Sequence, residues 1–277
     1  MCGIAGAFCK NGISVSALRQ ATAALSHRGP DTVGYYSDPS GKLTLGHRRL
    51  SILDLSQLAN QPMHSACGRY IMVYNGEVYN FKQLKAKLAG FLWKTQSDSE
   101  VIIELFAAFG TKVFTWLNGM FSLAIYDTES GKLLLARDHI GIKPLFYYQD
   151  ENCLVFASEL KAVKAYLHKE NLPLAINREA VPAFLHVGFI PEPSTIYQNV
   201  YKFPAAHYGV LTDDSPDLKF SLYWDAGQHF LTNTIRSEEI ALKQYKELLF
   251  NAVGDQMVSD VPLGTFLSGG IDSSLIT

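Results

Sequence analysis

Cysteine is scarce in this chain. Its 277 residues hold only Cys2, Cys9, Cys67 and Cys153, with no C-x-x-C pair and no His/Cys spacing that would hold zinc. A disulfide framework is therefore not expected, and a reducing, cytoplasmic compartment is. No apolar run approaches the length of a membrane span, and no basic segment followed by an apolar stretch opens the chain. An excess of one charge is also missing: 24 basic residues against 26 acidic give −2, which offers no general attraction for nucleic acid or an acidic membrane. Low-complexity tracts and internal repeats are absent. With 48% hydrophobic and 18% charged residues, the composition is that of a globular protein able to bury a substantial core.

Apolar patterning predicts a mixed α and β arrangement. The run Cys2–Phe8 fits a buried strand, and Val15, Leu18, Thr22 and Leu25 recur at helical spacing before Arg28-Gly29-Pro30 breaks the pattern. Further strands are predicted at Leu43–His47, Tyr70–Tyr74, Phe121–Tyr126, Leu133–Arg137, Leu145–Tyr148 and Leu154–Ala157. The second of these runs into Asn75-Gly76, a dipeptide that favours tight turns. Helices are expected over Phe81–Leu88, after the capping-box spacing Ser97-Asp98-Ser99-Glu100, and from Glu159 to Leu167. Strand blocks separated by helices favour two sheets covered by helices over a doubly wound parallel sheet. Residues 189–204 are proline-rich and extended, Thr212–Asp217 is a polar turn, and Gly227–Thr234 has the composition of a linker. A helix starting at Ser237 and a strand at Val261–Leu267 follow. The expected domains are residues 1–215, a linker at 216–236, and the start of a second domain at 237–277.

Cys2 is the leading candidate for chemistry. Removal of Met1 would leave it as both nucleophile and chain terminus, and a free α-amine could serve as base for its own thiol. A retained Met1 would block that amine. Taken alone, Cys2 is equally well a small buried hydrophobe, and Asn75-Gly76 an ordinary turn. Arg48 and Arg49 would face opposite sides of a strand. His27, His47 and His139 fit no metal spacing and are expected to be hydrogen-bonded core or turn residues.

Four motifs change the weight of these readings. They are Arg28-Gly29-Pro30-Asp31, Gly46-His47-Arg48-Arg49-Leu50-Ser51-Ile52, Asn75-Gly76-Glu77-Val78-Tyr79-Asn80 and Ser97-Asp98-Ser99-Glu100. In that order, behind an N-terminal cysteine, they resemble the class II glutamine amidotransferases over most of residues 1–210. The resemblance implies an α+β, four-layer αββα N-terminal-nucleophile hydrolase fold. It also implies that Cys2 attacks the side-chain amide of glutamine. Asn75 and Gly76 would supply an oxyanion hole, and Arg49 would grip the substrate α-carboxylate bidentately. Glu77 and Asp98 would face the substrate ammonium. The matching Arg137-Asp138-His139-Ile140-Gly141-Ile142-Lys143-Pro144-Leu145 is expected to be a structural turn. In Phe203-Pro204-Ala205-Ala206-His207, alanine stands where such relatives often carry glycine before the histidine, so a slightly different turn is expected there.

Leu267-Ser268-Gly269-Gly270-Ile271-Asp272-Ser273 resembles the pyrophosphate loop of an ATP-pyrophosphatase domain and places the pattern nearest the asparagine synthetase branch. Leu267, Ser268, Gly269, Gly270, Asp272 and Ser273 are the implied ATP-binding residues. That branch uses ATP and Mg2+ to activate aspartate, whereas glutamine hydrolysis needs no cofactor or metal. Residues 237–277 would be only the opening of the synthetase domain, so glutamine hydrolysis is expected of this chain and aspartate amidation is not. Amidation of another carboxylate, a plain amidohydrolase and a non-catalytic binding module are the alternatives. No nucleic acid or membrane partner is implied, and a homodimer is left open.

Overall fold

The computed structural model describes residues 1–212, 215–228, 235 and 237–277. Among these, twelve strands form two antiparallel sheets of six. The first sheet has the order β10-β8-β9-β1-β3-β2, built from β1 (Gly3–Cys9), β2 (Thr32–Ser37), β3 (Leu43–Arg49), β8 (Phe146–Gln149), β9 (Cys153–Ala157) and β10 (Val200–Lys202). The second runs β12-β11-β7-β6-β5-β4, from β4 (Met63–His64), β5 (Tyr70–Val78), β6 (Gly119–Asp127), β7 (Lys132–Arg137), β11 (His207–Thr212) and β12 (Ser215–Leu222).

Strand alternation sorts the side chains into three apolar layers. Ile4, Phe8, Leu43 and Leu45 of one sheet meet Ile71, Val73, Ala124 and Leu135 of the other between the sheets. Ala5, Ala7 and Val155 face outward, where α1 (Val15–Ala23) and α4 (Leu160–Lys169) cover them. Met72, Tyr74, Phe121 and Leu123 face the opposite way, under α3 (Asp98–Phe109) and the short α2 (Phe81–Leu84). The result is the four-layer αββα arrangement. Ser14 caps α1 by accepting from Ala17 N at 3.2 Å, and Ser97 caps α3 by accepting from Glu100 N at 3.4 Å. The reciprocal half of the capping box is redirected: the Glu100 carboxylate accepts from Lys94 N at 2.9 Å and Thr95 N at 2.7 Å.

The structure refines the sequence expectations at four places. Asn75-Gly76 is no turn; both lie inside β5, whose pairing with β6 continues to Val78↔Gly119. Residues 261–267 form no strand, because nothing among the described residues pairs with them. Of the polar turn expected at 212–217, Thr212 ends β11 and residues 215–217 belong to β12, while residues 213 and 214 lie outside the described residues. Cys9 and Cys153, directly opposite on β1 and β9, are joined by a disulfide, against the expectation of free thiols. The expected linker 227–234 also falls largely outside the described residues. A 19-residue helix, Glu238–Gln256, and a short one, Ile271–Ile276, carry the C-terminal segment, and neither buries a residue. Among the described residues no helix is long and apolar enough to cross a membrane.

Candidate active site

Cys2 precedes β1 by one residue and continues its alternation, so its side chain belongs to the layer between the sheets, with Ile4 and Phe8. Arg28 pins this end of the chain, donating from Nε to the Cys2 carbonyl at 2.9 Å and from Nη1 to Glu159 at 2.9 Å. Ser158 fixes Ile4 behind it: its Oγ accepts from Ile4 N at 3.0 Å, and its own N–H donates to Ile4 O at 2.9 Å. The Cys2 thiol faces the Leu50 carbonyl at 3.7 Å. Burial pushes its pKa up, and the charges of Glu77 and Asp98 add to the rise. The Met1 α-amine is held below its ordinary value, chiefly by burial and further by the nearby cations Arg28 and Lys143.

β3 delivers two neighbours to the same layer. His47, fully buried, donates from Nε2 to the Tyr74 carbonyl at 3.1 Å, and desolvation lowers its pKa to about 3, which keeps it neutral. Arg49 is buried too, but its guanidinium is already engaged. Nη1 donates to Ser56 O and Asn60 Oδ1, both at 2.8 Å, while Nη2 donates to Leu53 O at 3.2 Å and to Asp54 O. Both amino groups are thus spent on the loop that follows β3, and a bidentate grip on a carboxylate requires that loop to move. Arg48 faces the other side and donates to Thr22 O of α1 at 3.4 Å, as strand alternation predicts. Asp54 sits at φ 52° at the loop's tip. Its N–H donates to Asp260 of the C-terminal segment at 2.7 Å, and Asp260 N returns a bond to Ile52 O at 3.0 Å.

β5 contributes Asn75, Gly76 and Glu77. A Cβ on Gly76 would lie 2.4 Å from Met120 O and 2.8 Å from Phe121 Cα, so glycine is required by the close approach of β6. Asn75 is 1% exposed, and neither its Nδ2 nor its Oδ1 has a hydrogen-bond partner. Leaving such an amide unpaired costs about 1–3 kcal/mol of stability. Glu77 has its pKa raised to about 8 by burial and by the Asp98 charge. Asp98, the first residue of α3, accepts from Tyr74 Oη at 2.6 Å and Val78 N at 2.9 Å. Burial raises its pKa as well.

Cys2, Arg49, Gly76, Glu77 and Asp98 line one cavity, together with Leu50, Gln61, Tyr74 and Ser97. Asn75 is not on its wall. The cavity measures about 30 Å³, far below the roughly 300 Å³ at which ligand pockets begin. It is a narrow site. A larger groove of about 760 Å³, between residues 175–179 and 194–201, holds none of the candidate residues. Leu267, Ser268, Gly269, Gly270, Asp272 and Ser273 stand apart from the Cys2 cavity, in the exposed C-terminal segment; Ser268 and Ser273 share a hydroxyl hydrogen bond of 2.9 Å there, and Gly269 has φ +80°. Two residues near Cys2 escape sequence reasoning. Gln61 accepts from Tyr74 N at 2.6 Å, and Lys143 reaches the N-terminus from a distant turn. Gln61 carries no local signal, whereas Lys143 lies in the Arg137–Leu145 motif, expected only to be a structural turn.

A helix-covered double sheet with a cysteine at the mouth of its first strand defines an N-terminal-nucleophile amidotransferase architecture. A B. subtilis glutamine phosphoribosylpyrophosphate amidotransferase solved with ADP and GMP shares this fold, at TM-score 0.60 and 19% identity over 80% of this chain and 49% of that one. The chain belongs to the glutamine amidotransferase domain family, whose model matches residues 1–224, and the asparagine synthase model matches residues 244–277. Among curated proteins it is 37% identical to a putative glutamine-hydrolysing asparagine synthetase 2 of Methanocaldococcus jannaschii, covering all of this chain and 56% of that protein. It is 34% identical to asparagine synthetase 1 of Bacillus subtilis, covering all of this chain and 43% of that protein. An amidase, chry2, of Gibberella zeae is 33% identical over 95% of this chain and 38% of its own length. The chain spans about half the length of these relatives.

Proposed function

We propose that this chain hydrolyses the side-chain amide of glutamine to glutamate and ammonia, as the glutaminase part of an asparagine synthetase. The observation that carries this reading is the convergence of Cys2, Arg49, Gly76, Glu77 and Asp98 on one cavity from four separate stretches of sequence. With Met1 removed, the Cys2 α-amine takes the thiol proton and the sulfur attacks the amide carbonyl. The tetrahedral oxyanion is met by the Gly76 N–H, and the unpartnered Asn75 amide, which lies off the cavity wall here, joins it once the site opens. Collapse expels ammonia, which leaves with the proton from the α-ammonium. Water then cleaves the γ-glutamyl thioester, returning the thiol and releasing glutamate. Glu77 and Asp98, once ionised, face the substrate ammonium. Arg49 turns to its carboxylate when the residue 50–60 loop opens, which is what the narrow cavity and the engaged guanidinium require.

In the longer proteins that share this pattern, the ammonia is used to amidate aspartate at the expense of ATP. ATP supplies the leaving group that makes the carboxylate reactive, and Mg2+ offsets the phosphate charge. The donor set of the C-terminal loop fits a polyphosphate: the Ser268 and Ser273 hydroxyls stand beside Gly269 and Gly270, with Leu267 leading in and Asp272 following, and a Cβ on Gly269 would meet nothing within 4 Å. The test is glutamate release from glutamine by the purified chain, with intact mass confirming loss of Met1. Activity lost in Cys2→Ala supports the proposal. A processed chain that releases no glutamate, with or without ATP and aspartate, contradicts it.

A further inference from the structure

Lys143 is a buried cation that the reaction above does not use. It is 4% exposed, and its Nζ donates to the Met1 sulfur at 3.3 Å, a weak acceptor. Arg28 Nη2 approaches the same sulfur at 3.9 Å. Two cations therefore converge on the side chain just ahead of Cys2. Removing Met1 takes away the sulfur and leaves the ammonium facing the cysteine end of β1.

The turn that carries Lys143 is unusually well fixed. The Asp138 carboxylate accepts from Ile142 N at 2.8 Å, Lys143 N at 2.9 Å and Phe121 N at 3.1 Å. Phe121 is the residue opposite Gly76 in the β5–β6 ladder, so this carboxylate ties the turn to the strand beside the site. Arg137 completes the clamp, donating to Lys143 O at 2.8 Å, Gly141 O at 2.7 Å and Phe203 O at 2.6 Å. Arg137, Asp138 and Gly141 shape the turn as the motif predicts. What the turn presents is Lys143.

We propose that Lys143 is a positioning residue for the cysteine centre, its ammonium acting as a fixed positive charge beside the Cys2 thiol and the α-amine freed by Met1 removal. The inference rests on the reading of Cys2 as nucleophile. A nearby cation disfavours a protonated amine and favours a thiolate, so it poises both groups for attack. The surrounding charges make this necessary. Glu77 from β5 and Asp98 from α3 oppose ionisation of the thiol, while Arg28, ahead of β2, and Lys143 lower the pKa of the Met1 α-amine against Glu77. Lys143 itself is drawn toward its neutral form by burial and by Arg28, and is held charged by Glu77, Cys2 and Asp138.

The experiment compares wild type, K143R and K143M as full chains whose intact mass shows Met1 removed. Two quantities are followed against pH: iodoacetamide alkylation of Cys2, with the exposed Cys67 as internal reference, and kcat/KM for glutamine. K143M is expected to move the alkylation midpoint and the acid limb of kcat/KM to higher pH by about one unit, a roughly tenfold loss near neutrality recovered in alkali. K143R keeps the charge and should follow wild type. Coincident profiles for wild type and K143M overturn the proposal, as does a K143R profile displaced as far as that of K143M. If K143M does not fold, K143R decides alone: an unmoved midpoint supports a charge role and a displaced one refutes it. Activity surviving in Cys2→Ala would defeat the underlying reading instead, while the alkylation midpoints would still report the charge of Lys143.

Discussion

Gly76→Ala and Gly254→Ala make the same chemical change and are expected to move stability in opposite directions. At Gly76 the added methyl would stand 2.4 Å from Met120 O and 2.8 Å from both Cα and Cβ of Phe121. Ordinary contact begins near 3.4 Å, so β5 and β6 must separate by about 0.6–1.0 Å at that point. The obstructing atoms are mostly backbone of the paired strand, which has no rotamer to change. Asn75↔Ser122 and Glu77↔Met120 hold the ladder on either side. Overpacking of this kind costs about 1–3 kcal/mol, and each strained ladder bond adds about 1 kcal/mol. A loss of about 2–4 kcal/mol follows, or a fall in Tm of about 5–15 °C for a chain of this size. Gly254 lies in the Glu238–Gln256 helix with nothing within 4 Å of its would-be Cβ, so alanine there gains about 0.5–1 kcal/mol from helix propensity. Urea and thermal unfolding of the two variants against wild type measure both effects. If Gly76→Ala unfolds within about 0.5 kcal/mol of wild type, the close β5–β6 approach is wrong, and with it the geometry of the site.

Two further outcomes follow from particular residues. Ala206 sits at φ 57°, where glycine is at ease and alanine is strained, so Ala206→Gly should raise Tm by about 2–4 °C, and a fall would show that the turn does not need the left-handed geometry. His47, whose folded pKa of about 3 lies below its unfolded value, stays neutral in the fold while the unfolded chain binds a proton. Its contribution is therefore complete above about pH 6.5 and declines by about 1.4 kcal/mol per pH unit as pH falls toward 3. In unfolding measured across that window, His47→Gln should flatten the pH dependence, and an unchanged slope would place the titration elsewhere.

The strands richest in apolar residues were legible because a strand buried on both faces is a continuous hydrophobic run: β6 and β7 lie almost where the pattern puts them. β2, with Thr32, Gly34 and two tyrosines half-buried at the sheet's edge, gives no such signal, and α5 (Ala180–Val187) buries only Ala180. Taken alone, Asn75-Gly76 reads as a turn because that propensity is local, whereas the pairing that overrides it comes from β6, more than 40 residues away. Residues 261–267 have the composition of a strand, but a strand is realised only by a neighbour. The candidate residues that line the Cys2 cavity were named through their motifs, since the resemblance carried their identities. Their bonding was not: no sequence pattern reveals that Arg49 is committed to its own loop, or that Lys143 crosses 142 positions to reach Met1.

The central claim is that Cys2 is the nucleophile of a glutamine site. It is tested most directly by treating the processed chain with an electrophilic glutamine analogue and locating the adduct by peptide mass. The account expects one equivalent on Cys2, excluded by excess glutamine, with the exposed Cys67 left unmodified. Modification confined to Cys67, or labelling of Cys2 that glutamine does not prevent, would contradict it.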